Sequence, residues 1–166
     1  MKKATVALAL MTFSAMIVAS AFARPWETYE PYAKNQGQAG KSCVYHVYMV
    51  QKDPGWIIVE NGAWGKLTLN TKASRFILNG HGLMADIDYT LINYGGWNYD
   101  DIILGSATSG SDGNVHIRGN FDISTALTDQ DDARGLKFWL VLSEDMGASR
   151  LTGWNPLSYL FEYDVI

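Results

Sequence analysis

The sequence predicts an all-β chain: an antiparallel β-sandwich of about eight strands, with a closed β-barrel as the alternative. Three observations lead there. Short runs of β-branched and aromatic residues recur between Gly, Asp and Asn turn signals. Helical periodicity is nearly absent, whereas apolar and polar residues often alternate. The composition is that of a folded core, with 48% hydrophobic and 13% aromatic residues against 18% charged in 166 residues. That length suits one domain.

Residues 1–23 read as an export signal. Lys2 and Lys3 give a positive start, and an apolar run follows from Ala4 to Val18. Ala21-Phe22-Ala23 then puts small residues where a signal peptidase inspects them. A retained membrane anchor is the competing reading, but the run is short for a span of ~20 residues. The expectation is cleavage after Ala23, a periplasmic or extracellular location, and no transmembrane span afterwards. No cysteine sits at the cleavage point, which argues against a lipoprotein. Residues 24–42 mix Trp26, Tyr29 and Tyr32 with Pro, Gln and Gly and read as an N-terminal arm or linker. Residues 43–166 form the single β-domain.

The strands follow in order. Residues 43–50 are rich in β-branched and aromatic side chains, and Asp53-Pro54-Gly55 breaks the run. Residues 56–59 are a short apolar strand closed by Asn61-Gly62. In 66–70, Leu67 and Leu69 alternate with polar neighbours, as in a half-buried strand. Residues 75–79 end at Gly80-His81-Gly82, and 88–94 at Gly95-Gly96. Residues 101–108 and 114–120 make a hairpin, with Val115 and Ile117 facing one way and His116 and Arg118 the other. Residues 122–135 are acidic and irregular, with one helical turn near 124–128. Residues 136–142 (LKFWLVL) are nearly all apolar, so both faces should be covered. That lack of alternation also disfavours an outer-membrane barrel. A long loop, 143–158, leads to the last strand, 159–166, whose apolar edge is unguarded.

Charge and cysteine content exclude several functions. With 17 acidic and 13 basic residues the formal charge is −4, which argues against a nucleic-acid partner. Cys43 is the only cysteine, so heme attachment, a zinc cluster and a disulfide framework are excluded. It is expected buried at a strand start, with an intermolecular disulfide as the alternative.

The ordered segments Ala63-Trp64-Gly65-Lys66-Leu67-Thr68, Asn79-Gly80-His81-Gly82-Leu83, Asp88-Tyr89-Thr90-Leu91-Ile92, Gly113-Asn114-Val115-His116-Ile117, Phe138-Trp139-Leu140-Val141-Leu142-Ser143 and Thr152-Gly153-Trp154-Asn155-Pro156 carry a resemblance. The chain resembles a family of small exported prokaryotic β-domains over roughly residues 57–163. The resemblance implies a sandwich-like domain outside the cytoplasm and assigns no catalytic residue. The family's loops carry more prolines and paired cysteines than this chain does. At fold level, the Gly82-to-Asn114 region is similar to edges of immunoglobulin- and fibronectin-like sandwiches; a jelly roll is the other sandwich form considered.

Among candidate site residues, Trp64, Trp97 and Trp154 fall beside glycines at strand ends or in loops. Exposed there, they would stack on sugar rings or anchor a protein partner; folded back, they would plug the core ends. Trp139 reads as core. His81, flanked by glycines and near Asp86 and Asp88, is the candidate metal or catalytic histidine, with a tight turn as the plainer reading. Asp129, Asp131 and Asp132 offer hard oxygen ligands for Ca²⁺, as do Asn98, Asp100 and Asp101, against a simple solvated acidic loop. There is no Gly-x-Ser-x-Gly elbow. The leading expectation is an exported, non-catalytic domain binding a polysaccharide or protein at the envelope or outside the cell. The alternatives are a self-associating structural subunit, which would form homo-oligomers, and a small metal-dependent enzyme centred on His81.

Overall fold

A computed structural model describes residues 43–131 and 135–163. The signal and arm readings, and Asp132, lie outside the described residues. Eight antiparallel strands are present: β1 (Val44–Val50), β2 (Trp64–Asn70), β3 (Arg75–His81), β4 (Asp88–Tyr94), β5 (Ile102–Thr108), β6 (Val115–Asn120), β7 (Lys137–Leu142) and β8 (Leu160–Glu162). They form one sheet in the order β5-β4-β7-β8-β1-β2-β3-β6. The two ends of that order, β5 and β6, lie alongside each other, so the sheet curls into a nearly closed barrel. Glycines make the seam narrow: a Cβ on Gly105 would sit 3.0 Å from Ile117, and one on Gly119 2.8 Å from the Phe76 ring.

Alternation decides which side chains enter the barrel. Leu67 and Leu69 on β2, Phe76 and Leu78 on β3, and Val115 and Ile117 on β6 share one register face, and all are buried. They meet Leu91, Phe138, Leu140 and Leu160 from the other wall. Each fully buried side chain of this size contributes roughly 1.5–3 kcal/mol. Two connections run between distant parts of the strand order, 82–87 from β3 to β4 and the segment that leaves β6 at Phe121 toward β7. Asn93 anchors the second from inside. Its Nδ2 donates to the carbonyls of Leu127 (3.1 Å) and Lys137 (3.0 Å), and its Oδ1 accepts from the Leu127 N–H at 2.6 Å. The helical turn expected in this segment is a 3-10 turn, Ile123–Thr125, capped by Asp122.

Four expectations are corrected. Residues 101–108 and 114–120 form no hydrogen-bonded hairpin, because β5 pairs with β4 and β6 with β3. Residues 56–59 form no strand. The Asp53 carboxylate accepts the N–H groups of Gly55 and Ile57, Trp56 sits at φ 65°, and only a bridge from Lys52 to Ile58 remains. The last strand is not an edge, because β8 pairs with both β7 and β1. Cys43 is exposed, since it precedes the first ladder pair at Val44. No helix among the described residues is long and apolar enough to cross a membrane.

Candidate functional site: a tryptophan platform

The outward face of β4, β7 and β8 is as apolar as the interior. Ile92 pairs with Trp139, and Trp139 with Phe161, so Tyr94, Trp139 and Phe161 point away from the barrel. They are nevertheless buried: Tyr94 stacks on Trp139 with centroids 3.7 Å apart, and Phe161 meets Trp139 edge-on at 5.1 Å. Loops from three places in the chain cover them. Trp56 lies 6.1 Å from Trp139 and 5.0 Å from Phe161. Trp154 lies 6.0 Å from Trp139 and 5.9 Å from Trp56, and Trp97 stands edge-on to Trp154 at 5.9 Å. Such ring pairs add about 0.5–1.5 kcal/mol each beyond area burial. The upper indoles stay open to solvent, Trp56 by 52%, Trp97 by 48% and Trp154 by 37%.

A carboxylate fixes each of these three loops. Asp53 shapes the turn that presents Trp56, and the Lys52 ammonium lies 5.9 Å over that indole. The Trp97 N–H donates to Asp131 Oδ2 at 2.7 Å, an oxygen that also accepts the Tyr94 hydroxyl at 3.2 Å. The Asp131 N–H in turn donates to Asp129, which is ion-paired with Lys137. Asp145 accepts from Asn155 Nδ2 (2.8 Å) and from the Tyr159 hydroxyl (2.5 Å), which frames Trp154 between them. Asp101 joins two of the loops by accepting the N–H groups of Gly95 and Leu151, each at 2.9 Å. Burial pushes the Asp101 carboxyl up, against the pull of those two donors. Burial also raises the Tyr94 and Tyr159 phenols, reinforced by Asp131 and Asp145, so both remain donors. In the floor, the buried Trp139 Nε1–H has no hydrogen-bond partner among the described residues.

The remaining sequence candidates lie elsewhere. Trp64 opens β2 on another wall, packed with Tyr48 and Val50 and 4.6 Å from the His81 ring. His81 Nδ1 lies 2.7 Å from Asn114 Oδ1, His116 Nδ1 2.7 Å from Asn79 Oδ1, and His46 Nδ1 3.1 Å from Thr68 Oγ1. All three histidines face outward, but on different rungs of β1, β3 and β6. Asp88 takes the Thr108 hydroxyl, and among the described residues no three His, Cys, Asp or Glu side chains gather to hold a metal. Asp129 and Asp131 are turned to the protein partners named above.

Trp56 escaped the sequence reading because it sits in an apolar run that looks like a strand. Trp139 was legible as buried, but nothing local shows that loops bury it from outside. Glu162 gave no signal either. It faces inward opposite Met49, is 5% exposed, and its Oε2 lacks a partner among the described residues. Burial pushes its carboxyl up to about 7, against the pull of Lys52 and Lys137. Compared with known proteins, the chain matches no family model, no curated protein and no solved structure.

Proposed function

We propose that this protein is a non-catalytic binding domain, exported to the envelope or beyond, that holds a polysaccharide on the Trp56–Trp97–Trp154 platform. One observation carries the reading: three loops far apart in sequence place the solvent-open indoles of Trp56 and Trp97 each within 6 Å of Trp154. Burying those indoles would gain area, yet the carboxylate-fixed loops keep their faces toward solvent. Flat, rigid aromatic faces are suited to stacking on the apolar faces of sugar rings at low entropic cost. The export-signal pattern of residues 1–23 supports a location where polysaccharide is abundant.

The test is a titration of the protein with a panel of neutral and charged polysaccharides, followed by intrinsic fluorescence. Quenching or a blue shift with at least one glycan, lost in the Trp97→Ala/Trp154→Ala variant, is the expected result. An unchanged spectrum across the panel overturns the reading and leaves a protein partner as the occupant to seek.

A further inference from the structure

A second wall of the barrel has the opposite character. The outward residues of β1, β2, β3 and β6 lie on four rungs. These are Val50-Trp64-His81, Tyr48-Lys66-Asn79-His116, His46-Thr68-Ile77-Arg118 and Val44-Asn70-Arg75-Asn120. None is Asp or Glu, although the chain has 17 acids and a net charge of −4. The wall instead carries Lys66, Arg75, Arg118 and three imidazoles. Arg75 and Arg118 are diagonal neighbours on adjacent strands, about 7–8 Å apart at the backbone. They line one cleft of about 460 Å³ with Phe76, Ile77 and Asn120. Both are exposed, and neither has a carboxylate at ion-pair distance among the described residues.

We infer that this wall is a docking surface for an acidic polysaccharide, whose carboxylates sit against Arg75 and Arg118. Charge complementarity fixes the sign of the partner, and the guanidinium forks match carboxylate geometry. The rest of the wall fixes the class. Asn70, Asn79, Asn120 and Thr68 offer amides and a hydroxyl to sugar hydroxyls. Only Ile77 and Val44 present exposed large apolar side chains there, too few to seat a membrane. Tyr48 and Val50 are buried and Trp64 is partly covered, so the wall lacks the open aromatics on which nucleic-acid bases stack. The wall begins at β1, which pairs with β8, but β3 and β6, which carry Arg75 and Arg118, lie three to four strands from β7 and β8 around the barrel. The inference is therefore independent of the tryptophan platform.

The test measures binding to immobilised alginate, a polyuronate. Neutral dextran, phosphatidylglycerol-containing vesicles and single-stranded DNA serve as comparisons. Wild type is expected to bind alginate with an affinity that falls as salt rises, and to bind dextran more weakly at this wall. Arg75→Ala/Arg118→Ala should lose roughly tenfold or more in alginate affinity, while Arg75→Lys/Arg118→Lys recovers part of it. Both pairs are surface changes, and an unaltered thermal midpoint confirms the fold. The Trp97→Ala/Trp154→Ala variant should keep the salt-sensitive alginate binding, which separates this wall from the platform. Absence of alginate binding, equal binding by the double-alanine variant, or stronger binding to vesicles or DNA than to alginate overturns the inference.

Discussion

Replacing Glu162 with Gln should remove most of the pH dependence of this protein's stability between pH 4.5 and 7. Glu162 hangs from β8 into the barrel, 5% exposed, with one carboxyl oxygen unpartnered. Its carboxyl is shifted from 4.5 to about 7, chiefly by burial. Below the unfolded value both states hold the proton, and the folded state suffers no ionisation penalty. As pH rises toward 7 the unfolded chain ionises while the folded protein keeps its proton, so stability falls. Above the folded value both states are ionised and the loss levels off. At 1.36 kcal/mol per pKa unit, the loss is on the order of 3 kcal/mol. For a domain of this size that lowers the thermal midpoint by on the order of 10 °C. The amide of Gln has similar shape and no charge at any pH, so its own cost is constant. The opposite trend expected from His46, whose pKa is lowered by burial and by Lys66, is common to both proteins and cancels in the difference. Urea unfolding followed by fluorescence at several pH values between 4 and 8 measures that difference. Parallel stability curves for wild type and Glu162→Gln would refute the reasoning, because the carboxyl would then titrate as if solvated.

Trp97→Ala should weaken glycan binding about tenfold while changing stability by less than about 1 kcal/mol, since its half-exposed ring meets only Trp154 among the platform indoles; isothermal titration and thermal melts read the two effects separately. Gly153→Ala should cost about 1–3 kcal/mol, because its Cβ would fall 1.9 Å from Asp145 Oδ1. The displaced loop should also blunt the near-UV dichroism of the indole cluster. Leu140→Ala, at 0% exposure inside the barrel, should cost about 2–5 kcal/mol by denaturant unfolding.

Strand positions were legible where one face is wet. Val115 and Ile117 turn inward while His116 and Arg118 turn outward, as their alternation requires. The continuous run 136–142 was read as covered on both faces, and it is. What covers its outer face was not legible, because Trp56 and Trp154 arrive from loops remote in sequence. The acidic segment shows the same limit. Asp129 and Asp131 stand out in sequence as a cluster of oxygens, but the donors that occupy them, the Trp97 N–H and Lys137, are assigned only by the fold. Glycine neighbours mark Trp64, Trp97 and Trp154 as candidates, and the structure brings Trp97 and Trp154 into contact. Trp64, chosen on the same signal, is separated from them because the barrel's curvature carries β2 to another wall.

The shortest strand joins the two halves of the sheet. β8 has three residues and holds β1 through two registered pairs and β7 through two more. It works as a bolt in the wall, because its pairing requires both the distant β1 and β7. Such long-range pairing slows folding, and until β8 arrives the facing edges of β1 and β7 are open templates for misassembly. Release of β8 removes Phe161 from under the indoles and Glu162 from the interior in one event, and ionising that carboxylate favours the released state. Through these three residues the floor of the platform and a proton-sensitive carboxyl are tied to one strand, so any opening of β8 would disturb both together.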